Sequence, residues 1–320
     1  MPLLSVKGLR THFHTEHGVV KAVDGVSFDL EPGEILGLVG ESGSGKSVTN
    51  LSILRLVPEP PGVYAGGEIL FEGQDVLKMD RSTIRALRGH RIAMIFQDPM
   101  TSLNPTLRIG RQITEVLELH LKLSSKLARK RAIELLEKVG IPGPAERIDQ
   151  YPHELSGGMR QRVVIAMALA CEPTLLLADE PTTALDVTIQ AQILELIQAL
   201  AKETGTAVVL VTHDLGVVAG VADKVAVMYG GRIVEKGPVV ELYQNPQHPY
   251  TRGLLASVPR LDTRGPLVPI PGMPPNLANM GQGCAFAPRC PLADEKCAVY
   301  PEWQGSPTRG AACWRPGSSQ

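Results

Sequence analysis

The sequence predicts an α/β fold built on a buried, mostly parallel sheet, and three observations carry that prediction. All-apolar strands alternate with helical segments, the pattern of a sheet covered on both faces. The stretch Gly40-Glu41-Ser42-Gly43-Ser44-Gly45-Lys46-Ser47 lies between an apolar strand, Ile35–Val39, and a helix predicted at Val48–Leu56. A second apolar strand, Thr174–Ala178, runs straight into two acids, Asp179 and Glu180. With 320 residues and 43% apolar content, the chain can build one large domain or two modest ones around a real core.

Taken in order, Leu4 to about Leu38 alternates apolar and polar residues. This reads as short antiparallel strands turning at His17-Gly18 and Glu31-Pro32-Gly33. Phe13 falls here, and on its own reads as core. Gly66–Phe71 and Ile92–Phe96 are further strands, separated by Arg81, Arg85, Arg88, His90 and Arg91, a basic cluster that reads as a solvated helix face. From Thr101 to about His153 the spacing becomes helical, with Ile113, Val116, Leu117 and Leu121, then Ala132, Leu135, Leu136 and Val139, closed by Gly140 and Pro142. The core resumes with a helix at Met159–Ala170, the Thr174–Ala178 strand, a helix carrying Ile189, Ile193, Leu194, Ile197 and Leu200, and the strand Ala207–Val211. Past about Gly237 the composition turns to Pro, Gly and four of the five cysteines, a separate, loop-rich appendage.

The formal charge of −1 lacks the basic excess of a nucleic-acid partner. No apolar run of about eighteen residues suggests a membrane span, and Met1–Lys7 lacks a secretion signal. A cytoplasmic setting with reduced cysteines is therefore expected. There is no internal repeat, which argues against two fused copies of one unit.

The chemistry is written in short motifs. Residues 40–47 match G-x-x-x-x-G-K-[ST] at every specified position, and their strand–loop–helix setting is what a phosphate-binding loop needs. Gly40, Gly43 and Gly45 let backbone N–H groups, with Ser42 and Ser44, wrap a phosphate chain at a helix start. Lys46 would reach the β- and γ-phosphates and Ser47 would sit on Mg²⁺, so the chain is expected to bind a nucleoside triphosphate. Asp179 is placed to hold Mg²⁺ and Glu180 to orient or deprotonate a water, although two acids at a strand end could also cap a helix. Ser156, Gly157 and Gly158, opening the next helix in Leu155–Arg162, make a second anion site that could meet a phosphate from outside.

In these motifs the chain resembles the ATP-binding subunits of ABC transporters, over about Leu4–Lys236. The resemblance implies a P-loop NTPase cassette with a RecA-like core, an antiparallel β subdomain and a helical subdomain. Leu155–Gly158 looks like the family signature that acts in trans on ATP held by a partner subunit. Gln97 looks like the glutamine linking Mg²⁺ and water to the membrane subunit. Asp186, in Ala184-Leu185-Asp186, matches the D-loop, and His213 matches the switch histidine at the γ-phosphate. Phe13 fits the aromatic that stacks on adenine. Met159 stands where many members carry Gln. Two subunits would sandwich two ATP molecules, so an isolated chain is expected to be a poor ATPase.

Two further stretches, Gln97–Pro105 and Asn245–Thr251, resemble ATPase subunits of the oligopeptide/dipeptide importer family, which includes nickel and glutathione importers. On its own, His248-Pro249-Tyr250 reads as the end of a turn. The implied organisation is a cassette at 1–237, with a helical subdomain at about 101–158, and a Cys-containing extension at 238–320. The implied partners are two permease subunits, a second related ATPase in a heterodimer and, indirectly, an extracytoplasmic substrate-binding protein. No nucleic acid is implied. The implied place is the cytoplasmic face of the inner membrane. The cargo is chosen by the binding protein and permease, so it is not written here. A soluble ABC ATPase acting on DNA or ribosomes is the rival class, but its usual coiled coil, tandem cassette or basic linker is missing.

Cys284, Cys290, Cys297 and Cys313 form a C-x₅-C-x₆-C-x₁₅-C pattern, whereas Cys171 reads as a buried core thiol. In a reduced, Pro/Gly-rich tail such a set suggests a metal cross-link rather than disulfides. The wide spacings suit zinc poorly, and a [4Fe–4S] cluster ranks first, four unligated thiols second and zinc third. Similar tails in the family are reported to carry such a cluster.

Overall fold

The computed structural model describes residues 1–183, 185–258 and 269–318, with Pro99 and Met100 by backbone alone. They divide into two compact units, Met1–Met79 with Val211–Gln320, and Asp80–Leu210.

The first unit opens with β1 (Leu4–Thr15) and β2 (Gly18–Leu30), an antiparallel pair in which Leu4 faces Leu30 and Val6 faces Phe28. These strands are long, not the short strands expected. Register shifts after Val6 and after Thr11 break the alternation, so one bulged strand reads as several. Next come β3 (Ile35–Val39), buried at every position, α1 (Lys46–Ile53), β4 (Gly62–Phe71) and β5 (Gln74–Asp75). β1 is flanked by β2 and β4, giving a four-stranded antiparallel sheet. Its buried face collects Leu4, Val6, Leu9, Val26, Phe28, Leu30, Ile69 and Phe71.

The second unit begins with α2 (Arg81–Leu87), capped by Asp80, whose carboxylate accepts the Ser82 and Thr83 N–H groups at 2.8 Å. Only Ile84 of this helix is buried, so its arginines do lie on a solvated face. Then follow β6 (Ile92–Ile95), α3 (Pro99–Ser102), α4 (Ile109–Leu121), α5 (Ser125–Lys138), α6 (Pro144–Arg147), α7 (Gly157–Leu169), β7 (Leu175–Asp179), α8 (Val187–Thr204) and β8 (Ala207–Thr212). β6 and β7 are parallel, with Ile92 beside Leu175 and Ile95 beside Ala178. α4 buries Ile109, Ile113 and Leu117, one stripe at i, i+4, i+8, and α5 answers with Ala128, Ala132, Leu135 and Leu136. Cys171 is buried, and its thiol is pushed up to about 11 by that burial, as a core thiol should be.

β8 leads the chain back into the first unit, which is completed by α9 (Leu215–Ala219), β9 (Lys224–Tyr229), β10 (Arg232–Pro238), α10 (Val239–Gln244), α11 (Pro249–Ala256), β11 (Gln304–Gly305) and β12 (Gly310–Ala311). β9 lies parallel to β3 and antiparallel to β10, and β12 pairs with β10 at Glu235 and Lys236. The tail is therefore loop-rich but not set apart. It adds strands to the sheet, and it sinks Phe286 against Tyr229 and Tyr250 with ring centroids 5.3 Å apart in each case. In a chain with few aromatics this three-ring cluster supplies the local core that tail composition hides, at about 0.5–1.5 kcal/mol per ring pair beyond area burial. Among the described residues no helix is long and apolar enough to cross a membrane.

Candidate nucleotide site and its relatives

Residues 40–47 form a tight loop between β3 and α1 that has no room for side chains at two of its glycines. A Cβ on Gly40 would come within 2.2 Å of the Met228 carbonyl oxygen, and one on Gly45 within 2.2 Å of that of Ala22. Both glycines have positive φ, 155° and 104°. Lys46 is buried and curls back over the loop, its Nζ donating to the carbonyls of Gly40 (2.8 Å) and Glu41 (3.0 Å). Among the described residues the buried Ser44 Oγ has no partner. A buried hydroxyl without a partner beside an ammonium and a helix start fits an arriving phosphate oxygen. Ser42 is exposed on the loop and Ser47 half-buried in the first turn of α1. Phe13 is half-buried on β1, opposite Val20 and Gly62.

The second unit holds a different group. Asp179 ends β7 and is buried, while Glu180 follows with a φ of 45°, a left-handed conformation that a glutamate adopts only at some strain. The Glu180 carboxylate accepts from the Thr183 hydroxyl (2.9 Å) and from the Gln97 amide nitrogen (3.1 Å). Gln97 and Glu180 thus meet directly, as the sequence did not require. Ser156 is the N-cap of α7, accepting the Met159 N–H at 3.4 Å, and Gly157 and Gly158 form the first turn. A Cβ on Gly158 would press to 3.1 Å from Ile189. Asp186 caps α8 through the Ile189 N–H at 3.0 Å, whereas Ala184, in the same motif, lies outside the described residues. His213, in the first unit, is exposed at the turn between β8 and α9.

The four tail cysteines line one small cavity together with His248 and Phe286. Backbone N–H groups of Leu292 and Arg315 point at the sulfurs of Cys290 and Cys313, each at 3.4 Å. Burial pushes the Cys284 thiol up to about 11 and raises those of Cys290 and Cys313. The donor chemistry fits a thiolate-bound group, but the side chains are not drawn into a ligand shell. Among the described residues no three His, Cys, Asp or Glu side chains are grouped to hold a metal ion.

Three residues at these sites were not singled out from the sequence. Thr183 holds Glu180, and its only signal is its position three residues on. Glu41 occupies a free position of the loop motif, where an acid beside a phosphate site is unexpected and could have been flagged. Arg289, next to Cys290, has no local signal, because its partner is 248 positions away.

A loop made for phosphate, an acid pair at a strand end and a helix opened by Ser-Gly-Gly define a class of nucleotide-hydrolysing cassettes. The chain belongs to the ABC transporter family and is one of its ATP-hydrolysing subunits, with the family model matching residues 23–183. A second model, the C-terminal region of oligopeptide/dipeptide transporters, matches residues 234–297. The chain is 60% identical to the oligopeptide transport ATP-binding protein OppD of Bacillus subtilis (strain 168), over 91% of this chain and 82% of that protein. It is 55% identical to the dipeptide transport ATP-binding protein DppD of the same organism, over 98% and 94%. Among solved structures it is similar to the ATP-binding cassette MJ0796, a dimer in a post-hydrolysis state with ADP and Pi. The TM-score is 0.66 at 28% identity, covering 74% of this chain and 98% of the other.

Proposed function

We propose that this subunit energises the import of di- or oligopeptides. The observation that carries the reading is the match at residues 234–297, which lies beyond the matched cassette and is specific to oligopeptide and dipeptide transporters. The names of the relatives, oligopeptide and dipeptide transport proteins, point the same way. The chain would sit peripherally on the cytoplasmic face of the membrane, bound to two permease subunits and paired with a second, related ATPase. The extracytoplasmic binding protein would be reached only through the permease.

In this reading ATP lies on residues 40–47 with adenine on Phe13, and Lys46 faces the β- and γ-phosphates. Ser47, Asp179 and Gln97 are the residues assigned to Mg²⁺, which supplies charge neutralisation at the phosphates when bound. Glu180 takes the proton of the attacking water, and His213 contacts the γ-phosphate. Ser156, Gly157 and Gly158, with Asp186, serve the nucleotide of the partner ATPase. Uptake of a labelled dipeptide by cells holding the whole transporter, compared with cells carrying Glu180→Gln, tests this. Loss of uptake in the variant is expected. Unchanged uptake with the variant expressed would remove the peptide assignment and turn the test to nickel and glutathione.

For the tail we propose a [4Fe–4S] cluster on Cys284, Cys290, Cys297 and Cys313. The support is their common cavity and the N–H groups aimed at two of the sulfurs, which favour thiolates. Its role would be structural or regulatory. Iron and acid-labile sulfide assayed after anaerobic purification should both be found, and absence of both would end this assignment.

A further inference from the structure

Glu41, in the phosphate loop, is held at its N–H and its carboxylate by residues far outside the loop's own segment. Its N–H donates to the Tyr250 hydroxyl at 2.8 Å. Its carboxylate accepts two bonds from the Arg289 guanidinium, at 2.6 and 3.0 Å. Its carbonyl, facing the other way, accepts from Lys46 at 3.0 Å. A single residue thus connects the tail to the lysine of the phosphate site.

The two holders are themselves fixed. The Arg289 side chain is 4% exposed, and its remaining N–H groups donate to the carbonyls of Pro271 (2.8 Å) and Ile270 (3.3 Å) and to the Tyr229 hydroxyl (3.3 Å). Its guanidinium lies over the Tyr229 and Phe286 rings. Tyr250 is fully buried at the start of α11, between Tyr229 and Phe286. That helix is set in place by Glu235, whose two carboxylate oxygens accept the Gln247 and His248 N–H groups at 2.7 and 2.8 Å. His248 then caps it through the Tyr250 N–H. A bidentate, desolvated guanidinium–carboxylate pair fixes direction as well as distance, which a lysine would not.

We propose that Arg289 and Tyr250 are positioning residues for nucleotide binding, acting through Glu41 to hold the phosphate loop in the shape that receives the β- and γ-phosphates. The inference rests on the ATP reading of residues 40–47. It gives the Asn245–Thr251 segment and the Cys-bearing tail a task in the ATP site distinct from any thiol chemistry.

The test measures equilibrium binding of ATP and of AMP to the full-length chain in wild type, Arg289→Met, Arg289→Lys, Tyr250→Phe, Glu41→Gln and Lys46→Ala. Arg289→Met should weaken ATP on the order of tenfold, Arg289→Lys less, and AMP by under about twofold. Tyr250→Phe keeps the ring packing and removes only the acceptor, so it decides the matter if Arg289→Met does not fold. It should weaken ATP about threefold or more. Glu41→Gln combined with Arg289→Met should add little to either alone. Unchanged ATP affinity in folded Tyr250→Phe and Arg289→Met would overturn the proposal, as would equal weakening of ATP and AMP, the mark of a merely structural tail. Lys46→Ala separates the two readings. If it leaves ATP binding intact, the nucleotide assignment itself fails, whereas its loss beside an unaffected Arg289→Met sinks only the positioning role.

Discussion

The phosphate loop and the Glu180 group are built in opposite ways. The loop's Ser44, Gly45 and Lys46 are buried, its lysine is bonded to its own carbonyls, and Glu41 is gripped by residues more than two hundred positions away. Glu180 is half-exposed, held by one hydroxyl three residues on and by an exposed glutamine, in a backbone conformation under strain. The difference follows from what each group meets. In the proposed mechanism the loop receives a charge already present in the ground state, so preorganisation there would serve binding. In the same mechanism the glutamate acts on a charge that develops during reaction, and its named holders are the Thr183 hydroxyl and the exposed Gln97 side chain rather than a buried guanidinium.

The largest effect that should sharpen this contrast is on turnover. Glu180→Gln in the assembled transporter should lower ATP hydrolysis on the order of 10²–10⁴-fold while ATP binding is retained. Normal turnover would erase the distinction. Lys46→Ala should do the reverse, weakening ATP binding on the order of ten- to a hundredfold, because it removes the charge at the phosphates and the bonds to Gly40 and Glu41. Equilibrium binding reads this directly.

Acid should lower the stability of the fold through His248, which caps the helix that carries Tyr250. His248 is buried with its Nδ1 accepting the Tyr250 N–H, and burial, helped by Arg252, pushes its pKa down to about 3. The unfolded chain takes up this proton near pH 6.5 and the folded chain does not. Stability is therefore full above pH 6.5 and falls between there and about pH 3, by up to about 1.4 kcal/mol per pH unit. Burial raises the neighbouring Glu235 carboxyl and so acts in the opposite sense, which makes the variant comparison necessary. Melting temperatures at pH 7.5 and 5 should drop more for wild type than for His248→Asn, which keeps a cap acceptor without the titration. An equal drop would exclude His248 as the cause.

The smallest effect concerns Thr183. Thr183→Val should cut turnover about three- to tenfold, through loss of one hydrogen bond to Glu180, with ATP affinity unchanged. A change in affinity instead would mean that the two groups are not separable.

What the sequence showed plainly was what eight or fewer residues can encode. The loop at 40–47, the helix opening at 156–158 and the strand-end acids work through local backbone geometry, so spacing alone exposes them. β1 and β2 were legible as strands but not as long ones, because bulges interrupt their alternation. The tail's place in the sheet was hidden, since its pairing with β10 involves only Gly310 and Ala311, two residues without a strand signature. The Glu41–Arg289 pair was hidden for a related reason. Only the folded chain brings it together: the acid at Glu41 is unusual where it stands, but nothing near it in the sequence points to Arg289.

That pair also orders events during synthesis. Glu41 leaves the ribosome with its loop complete, but Arg289 follows 248 residues later. At about 5–20 residues per second this is a delay of roughly 12–50 s. Through that interval the nascent chain carries the phosphate-loop motif without Arg289, so under the proposed positioning role tight nucleotide capture would come only once the tail has been made and packed.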